Sequence, residues 1–280
     1  YFNNYISGAF FHRGASYKSF GNDFLQTDIQ GFFVSDRVRM FENRAFLSLS
    51  YESKHDNTAD TKEGTTDYRN MNASLTVNPR DFPSLSFGYG FNNRVADYNI
   101  FDPDSSQISK FADENTNRFF FGTSYDFLMS GLRQNASFSL SIANKKDQTF
   151  YKADQSNLYV QLSWMTEFKI PLITTVGYSL SSNQNDLQTF KASGADSVVS
   201  VTEFNYSALQ FAAQYRMFED KVRIVASLNP IFGSINRINF LGGATYSVSE
   251  HHNVDFFLNF IQNSAQADDF IASLIYRFNF

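Results

Sequence analysis

The chain has 280 residues and no cysteine. A disulfide framework and a thiolate metal site are both excluded. Long hydrophobic runs are missing as well. No stretch approaches the ~18 apolar residues of a transmembrane helix, and mean hydropathy is -0.33. A sustained helical repeat of apolar positions is also absent. There is no excess of positive charge: the formal net charge is -5, which argues against non-specific nucleic-acid binding. The acidic stretches lack the D-x-D-x-D-G spacing of a calcium loop, and no cofactor or metal is expected. No leader is visible. The chain opens on the polar YFNN, so its N-terminus is read as processed or cropped, with an upstream region missing. Tryptophan is reduced to one residue, yet 33 Phe and 15 Tyr bring the aromatic share to 18%.

What the chain does have is a period of two. In RAFLSLSYESK (44–54), Ala45, Leu47, Leu49 and Tyr51 alternate with Ser48, Ser50, Glu52 and Lys54. In SLSFGYGFNNR (84–94), Leu85, Phe87, Tyr89 and Phe91 alternate with Ser86, Gly88, Gly90, Asn92 and Arg94. NASFSLSIANK (135–145) repeats the pattern. Such alternation marks a strand with one apolar and one polar face. Fourteen strands are expected near 4–13, 28–41, 44–55, 67–78, 84–96, 117–129, 135–147, 157–168, 172–184, 204–218, 221–229, 237–248, 253–262 and 268–280. The first alternates poorly, and Asp36 falls on the face that Val34, Val38 and Met40 mark as apolar.

Connection lengths alternate too. Tight turns at 42–43, 79–83, 130–134, 169–171, 219–220 and 249–252 separate longer polar loops such as 14–27, 56–66, 97–116, 148–156 and 185–203. Phe41, Phe82, Phe127, Phe168, Phe218, Phe278 and Phe280 cluster beside the tight turns, as an aromatic girdle at one membrane interface does. Many strands run near eleven residues, the length a tilted strand needs to cross a bilayer. A soluble sandwich, propeller or solenoid is the competing fold. Its strands average about five or six residues, and a solenoid or propeller shows a more regular repeat. The nearest thing to a repeat here is RMFENR (39–44) beside RMFEDK (216–221).

The chain ends SLIYRFNF. Tyr276, Phe278 and the terminal Phe280 resemble the C-terminal targeting signal of bacterial outer-membrane β-barrel proteins, a class whose last strand is read by the barrel assembly machinery. The resemblance implies an all-β, antiparallel, transmembrane up-and-down β-barrel in the bacterial outer membrane. It would have about 14 strands, short periplasmic turns and longer extracellular loops, and form one domain over 1–280. It also implies contact with outer-membrane lipids and lipopolysaccharide, and with the assembly machinery through those three aromatics. Strand parity then favours 4–13 as a strand, because an even barrel needs one before 28–41. The alternative makes residues 1–27 a plug or linker.

On this reading the polar positions line a lumen. The inward cations are Arg37, Arg39, Lys54, Arg94, Arg118, Lys145, Arg216, Arg223 and Arg277, and the inward anions are Glu52, Asp126, Glu167 and Asp255. Nine against four leaves +5 in a chain whose total is -5, so the remainder carries about -10, much of it in the acidic outer loops. A basic lumen attracts anions. The same arginines can instead pair with lumen carboxylates and brace the wall, and the two roles can coexist. Enzyme signals are poor. His55 and Asp56 are adjacent on a strand and point to opposite faces, while His251 and His252 sit in a tight turn and read as solvated. Two functions stay open: a passive channel for small hydrophilic solutes with an anion bias, or a plugged, non-enzymatic barrel that anchors a partner, a surface assembly or a secretion component. Residues 14–28 are the candidate constriction or partner seat.

Overall fold

The computed structural model describes residues 3–17, 26–102, 107–149, 151–190, 197–249, 251–264 and 267–278. Its strands are β1 (Asn3–Arg13), β2 (Ile29–Met40), β3 (Ala45–Asp56), β4 (Thr66–Val77), β5 (Ser84–Ala96), β6 (Asn99–Asp102), β7 (Gln107–Lys110), β8 (Asp113–Met129) and β9 (Leu132–Asp147). They continue with β10 (Gln155–Glu167), β11 (Leu172–Phe190), β12 (Ser197–Met217), β13 (Val222–Gly233), β14 (Arg237–Ser247), β15 (His252–Asn263) and β16 (Asp269–Phe278). Fourteen of them form a single antiparallel sheet in chain order, with β5 hydrogen-bonded to β8 across the separate β6–β7 hairpin. This is the up-and-down arrangement expected from the alternation.

β1 is a full strand despite its weak pattern, paired with β2 from Asn3–Arg39 to Arg13–Ile29. Two expectations are corrected. The stretch 97–116 is not simply a loop, since it contains β6, β7 and the start of β8. The stretch 185–203 is largely strand, because β11 runs to Phe190 and β12 begins at Ser197. Their sequences show no sustained apolar alternation.

The tight turns are built from left-handed residues. Ser130 and Gly131 take φ of 53° and 72°, the two positive values of a type I′ hairpin. In the RMFENR turn, Phe41, Glu42 and Asn43 have φ of 53°, 55° and 65°. Phe218, Glu219 and Asp220 of RMFEDK take 55°, 56° and 65°. The short sequence repeat therefore encodes the same backbone twice. Each turn also projects its phenylalanine into the surroundings, with Phe41 65% and Phe218 70% exposed.

The chain divides into two compact units, residues 1–121, 141–158 and 183–203, and residues 122–140, 159–182 and 204–280. Neither has an ordinary apolar core. Ile29, Ala45, Ala96 and Ala112 are the buried hydrophobic residues among those described, whereas Leu49, Tyr51, Phe87, Leu228, Phe256 and Leu274 are exposed. Leu49, Tyr51 and Phe87 share one face of the first unit, because paired residues lie on the same side of a sheet and the ladder runs Leu49–Ala73–Tyr89 and Leu47–Leu75–Phe87. Phe270, Leu274, Tyr276 and Phe278 share one face of β16 in the second. So much exposed apolar area is unfavourable in water and favourable in lipid.

Candidate functional site

The sheet's other face is polar, and registers put Arg37, Arg39, Glu52, Lys54 and Arg94 on one side of the sheet in the first unit, and Arg216, Arg223, Asp255 and Arg277 on one side in the second. In the first unit Arg37 pairs with Ser48, Arg39 with Phe46, and Glu52 with Asn70. Lys54 pairs with Tyr68, which pairs in turn with Arg94. Arg118 stands beside Gly90. Lys145 is joined to Glu114 at 3.1 Å. In the second unit Arg216 is directly opposite Arg223, Arg223 opposite Thr245, and Thr245 opposite Asp255. Asp126 accepts a 2.8 Å hydrogen bond from Asn135, and Glu167 meets Arg133 at 3.7 Å.

The charges on this face divide into braced and unbraced groups. Lys54 pairs with Glu52 at 3.1 Å on its own strand. Asp255 is a hub: Arg277 donates to its Oδ2 from Nε at 2.7 Å and reaches it from a second nitrogen at 2.6 Å, while Thr245 donates to Oδ1 at 2.8 Å. Arg223 lies on the same face, two strands away, with Thr245 between them in the ladder. With the Gln214 amide oxygen turned toward it, Arg216 donates to that oxygen at 3.0 and 3.3 Å. Asp255 is thus held by Arg277, while Arg216 and Arg223 face each other across the β12–β13 ladder. Arg94 lies over the rings of Tyr68 and Phe111 at 5.9 and 5.8 Å, and its buried Nε has no hydrogen-bond partner among the described residues. Among the described residues, Arg37, Arg39 and Arg118 have no ion-pair partner. The bracing partners Glu114 and Arg133 were missing from the sequence reading; each sits at a strand end where alternation gives a weak signal.

Beyond the membrane band, the 57–65 loop is clamped to the sheet. Lys62 Nζ lies 3.0 Å from Asp56 and 3.6 Å from Asp28. Asp28 also accepts from Thr58 Oγ1 at 2.9 Å and from the Ala59 amide at 3.0 Å. Burial opposes the Asp28 charge, but these hydrogen bonds and the Lys62 ammonium outweigh it, holding its pKa below the usual carboxylate value. The hydrogen bond to Asp56 leads the effects that raise Lys62. Two arrangements differ from expectation. His252 is not a solvated turn residue, since it opens β15, its Nδ1 meets the Tyr276 hydroxyl, and its ring lies 4.8 Å from that of Phe278. Asp36 does lie on the apolar face, opposite Ile6 and Leu49, and its Oδ1 has no partner. Phe280 and much of the proposed 14–28 seat lie outside the described residues.

The chain matches no protein-family model and no curated protein sequence. Solved structures do resemble it. The ferric-catecholate import receptor Fiu of E. coli K12, in its open form, aligns with a TM-score of 0.52 at 8% identity, over 99% of this chain and 61% of that one. The siderophore receptor PiuA of Acinetobacter baumannii aligns at 0.50 and 10%, over 98% and 59%. The FrpB iron transporter of Neisseria meningitidis aligns at 0.51 and 11%, over 95% and 52%. The fold is that of an outer-membrane β-barrel. These neighbours are transporters and receptors, and the chain spans between 52% and 61% of their lengths.

Proposed function

We propose that the chain forms an outer-membrane channel for small hydrophilic solutes, with the polar face of the sheet as its lumen and anions as its favoured passengers. One observation carries this reading: guanidinium groups on that face outnumber the carboxylates placed to neutralise them. Arg216 and Arg223 occupy directly opposed positions, where like charges repel. The Asp255 carboxylate, two strands from Arg223 on the same face, is already held by Arg277. A mobile anion between Arg216 and Arg223 would relieve their repulsion. The apolar face meets lipid and lipopolysaccharide, and Tyr276, Phe278 and Phe280 present the last strand to the assembly machinery. Proteoliposome swelling tests the proposal. Vesicles containing the chain should swell faster in a small organic anion than in a cation of the same size. Replacing Arg216 and Arg223 by Gln should remove the difference. Swelling equal to that of empty vesicles contradicts a channel.

A second reading, the barrel wall of an import receptor, is supported by the alignments above 0.50 with the ferric-catecholate import receptor Fiu and the iron transporter FrpB. It predicts a solute that binds but does not pass unaided, and it is distinct from a plugged barrel that anchors a partner, a surface assembly or a secretion component.

A further inference from the structure

We propose that the polar face of β2–β5 and β8 carries a binding site for small hydroxylated carboxylates of the sugar-acid type. The proposal rests on the channel reading in taking this face as the one that solutes meet.

A cavity of about 430 Å³ opens here, within the usual range for small-ligand sites. Its floor is laid out by register. Phe33, Glu52, Asn70 and Asn92 form one row across β2–β5. One step along, Ser35, Ser50, Asn72 and Gly90 form the next, about 7 Å away because same-face residues are two strand rises apart. Arg118 closes the second row on β8. Its Cβ stands 3.8 Å from where a Gly90 Cβ would lie.

Three features point to a ligand. The first is unspent hydrogen-bonding capacity. Among the described residues, Asn70, Asn72, Asn92 and Arg118 make no side-chain hydrogen bond or ion pair, although all four border one concavity. Nearby polar side chains do pair: Ser7 with Ser35 at 2.7 Å, and Asn93 with Asn115 at 2.6 Å. The second is Gly90. A Cβ there would lie 3.1 Å from Asn72 Oδ1, so glycine holds the floor open between the Asn72 and Arg118 side chains. The third is the charge count. Glu52 is engaged by Lys54, which leaves the Arg118 guanidinium as one net positive charge and suits a monoanion.

The chemistry follows from the groups. A guanidinium is a planar fork that matches a carboxylate. Three amides supply donors and acceptors to hydroxyl groups. The Phe33 ring, 38% exposed, offers an apolar surface for the C–H face of a sugar ring. A phosphate dianion would leave charge uncompensated, and a neutral sugar would leave the guanidinium unused.

The test is isothermal calorimetry on the full chain folded in detergent, with D-glucuronate as probe and D-glucose as its uncharged counterpart. Glucuronate should bind, and glucose should bind at least about tenfold more weakly, as expected for loss of a charge-assisted contact. Arg118→Gln should weaken glucuronate by a similar factor. Gly90→Val should abolish it by filling the floor, at a position where the nearest neighbour is a movable side-chain end. Glucose binding as tightly as glucuronate overturns the proposal, as does absence of glucuronate binding to folded wild-type protein. The comparison of the two sugars needs no variant to fold. Calorimetry also reads binding without conduction. Anion conduction without glucuronate binding defeats the site alone, whereas binding by a chain that conducts nothing defeats the channel reading and leaves the site standing.

Discussion

Gly31 offers a sharp test of the sheet register on which the polar face depends. It is buried and pairs with Lys54, two residues before Phe33. A Cβ at this position would lie 2.4 Å from the Ser53 carbonyl oxygen, 2.6 Å from Lys54 Cβ and 2.7 Å from Lys54 Cα. Two of these three atoms are backbone, so no rotamer change relieves the clash. Gly31→Ala must push β2 from β3 by roughly 1 Å, against a ladder spacing of about 4.8 Å. Overpacking of this kind costs about 1–3 kcal/mol. Gly88→Ala is the control. There the nearest atom is a Phe120 ring carbon at 3.3 Å, a side chain that can shift, and alanine restricts the unfolded chain by about 0.4–1 kcal/mol in the protein's favour. Urea unfolding in lipid vesicles reads both, using the single tryptophan, Trp164, as reporter. With a slope of about 2 kcal/mol/M, Gly31→Ala should lower the midpoint by about 0.5–1.5 M, while Gly88→Ala should leave it unchanged or raise it. Equal midpoints for the two variants would refute the assigned pairing of β2 with β3.

The loop clamp predicts a pH window. The Asp28 pKa is lowered in the folded chain, so its contribution is complete above the unfolded value of about 3.9 and is lost as pH falls through the folded value. The Lys62 pKa is raised, so its contribution is complete below about 10.4 and is lost only as pH rises through the folded value. Hydrogen exchange of residues 57–65, corrected for intrinsic rates, should show constant protection from about pH 5 to 9 and a loss in stronger acid. Thr58→Ala should move that loss to higher pH, and an unchanged profile would contradict the clamp. The left-handed turns predict that Glu42→Gly and Glu219→Gly each stabilise the chain by about 0.5 kcal/mol, the relief of an unfavourable φ less the entropy glycine adds to the unfolded state. A lowered urea midpoint in either variant would count against strain at these turns.

Much of the architecture was legible because a membrane strand must answer two solvents at once. Leu47, Leu49 and Tyr51 against Ser48, Ser50 and Glu52 announce β3 without any structure. Where that constraint lapses, so does the signal. The far ends of β11 and β12 and the β6–β7 hairpin carry no sustained alternation, so the sequence alone offers no strand signal there. β1 was recovered by parity rather than by pattern. For the site, alternation assigned residues to faces but not to partners. It could not tell that Glu52 would bond to Lys54 two positions along its own strand, that Asp255 would be held by Arg277, or that Arg118 would have no ion-pair partner among the described residues. Alternation puts Phe33 on the face of Arg37 and Arg39, but that it stands opposite Glu52 is a cross-strand fact that no single strand encodes.

The central claim is that the polar face conducts and that its unbalanced guanidinium groups favour anions. The most direct measurement is the reversal potential of the purified, folded chain in a planar bilayer under a salt gradient. Stable current steps with a reversal potential of the sign set by chloride are predicted, moving toward zero when Arg216 and Arg223 are replaced by Gln. A reversal potential of the opposite sign, or silence from a chain shown to be folded, would contradict the account.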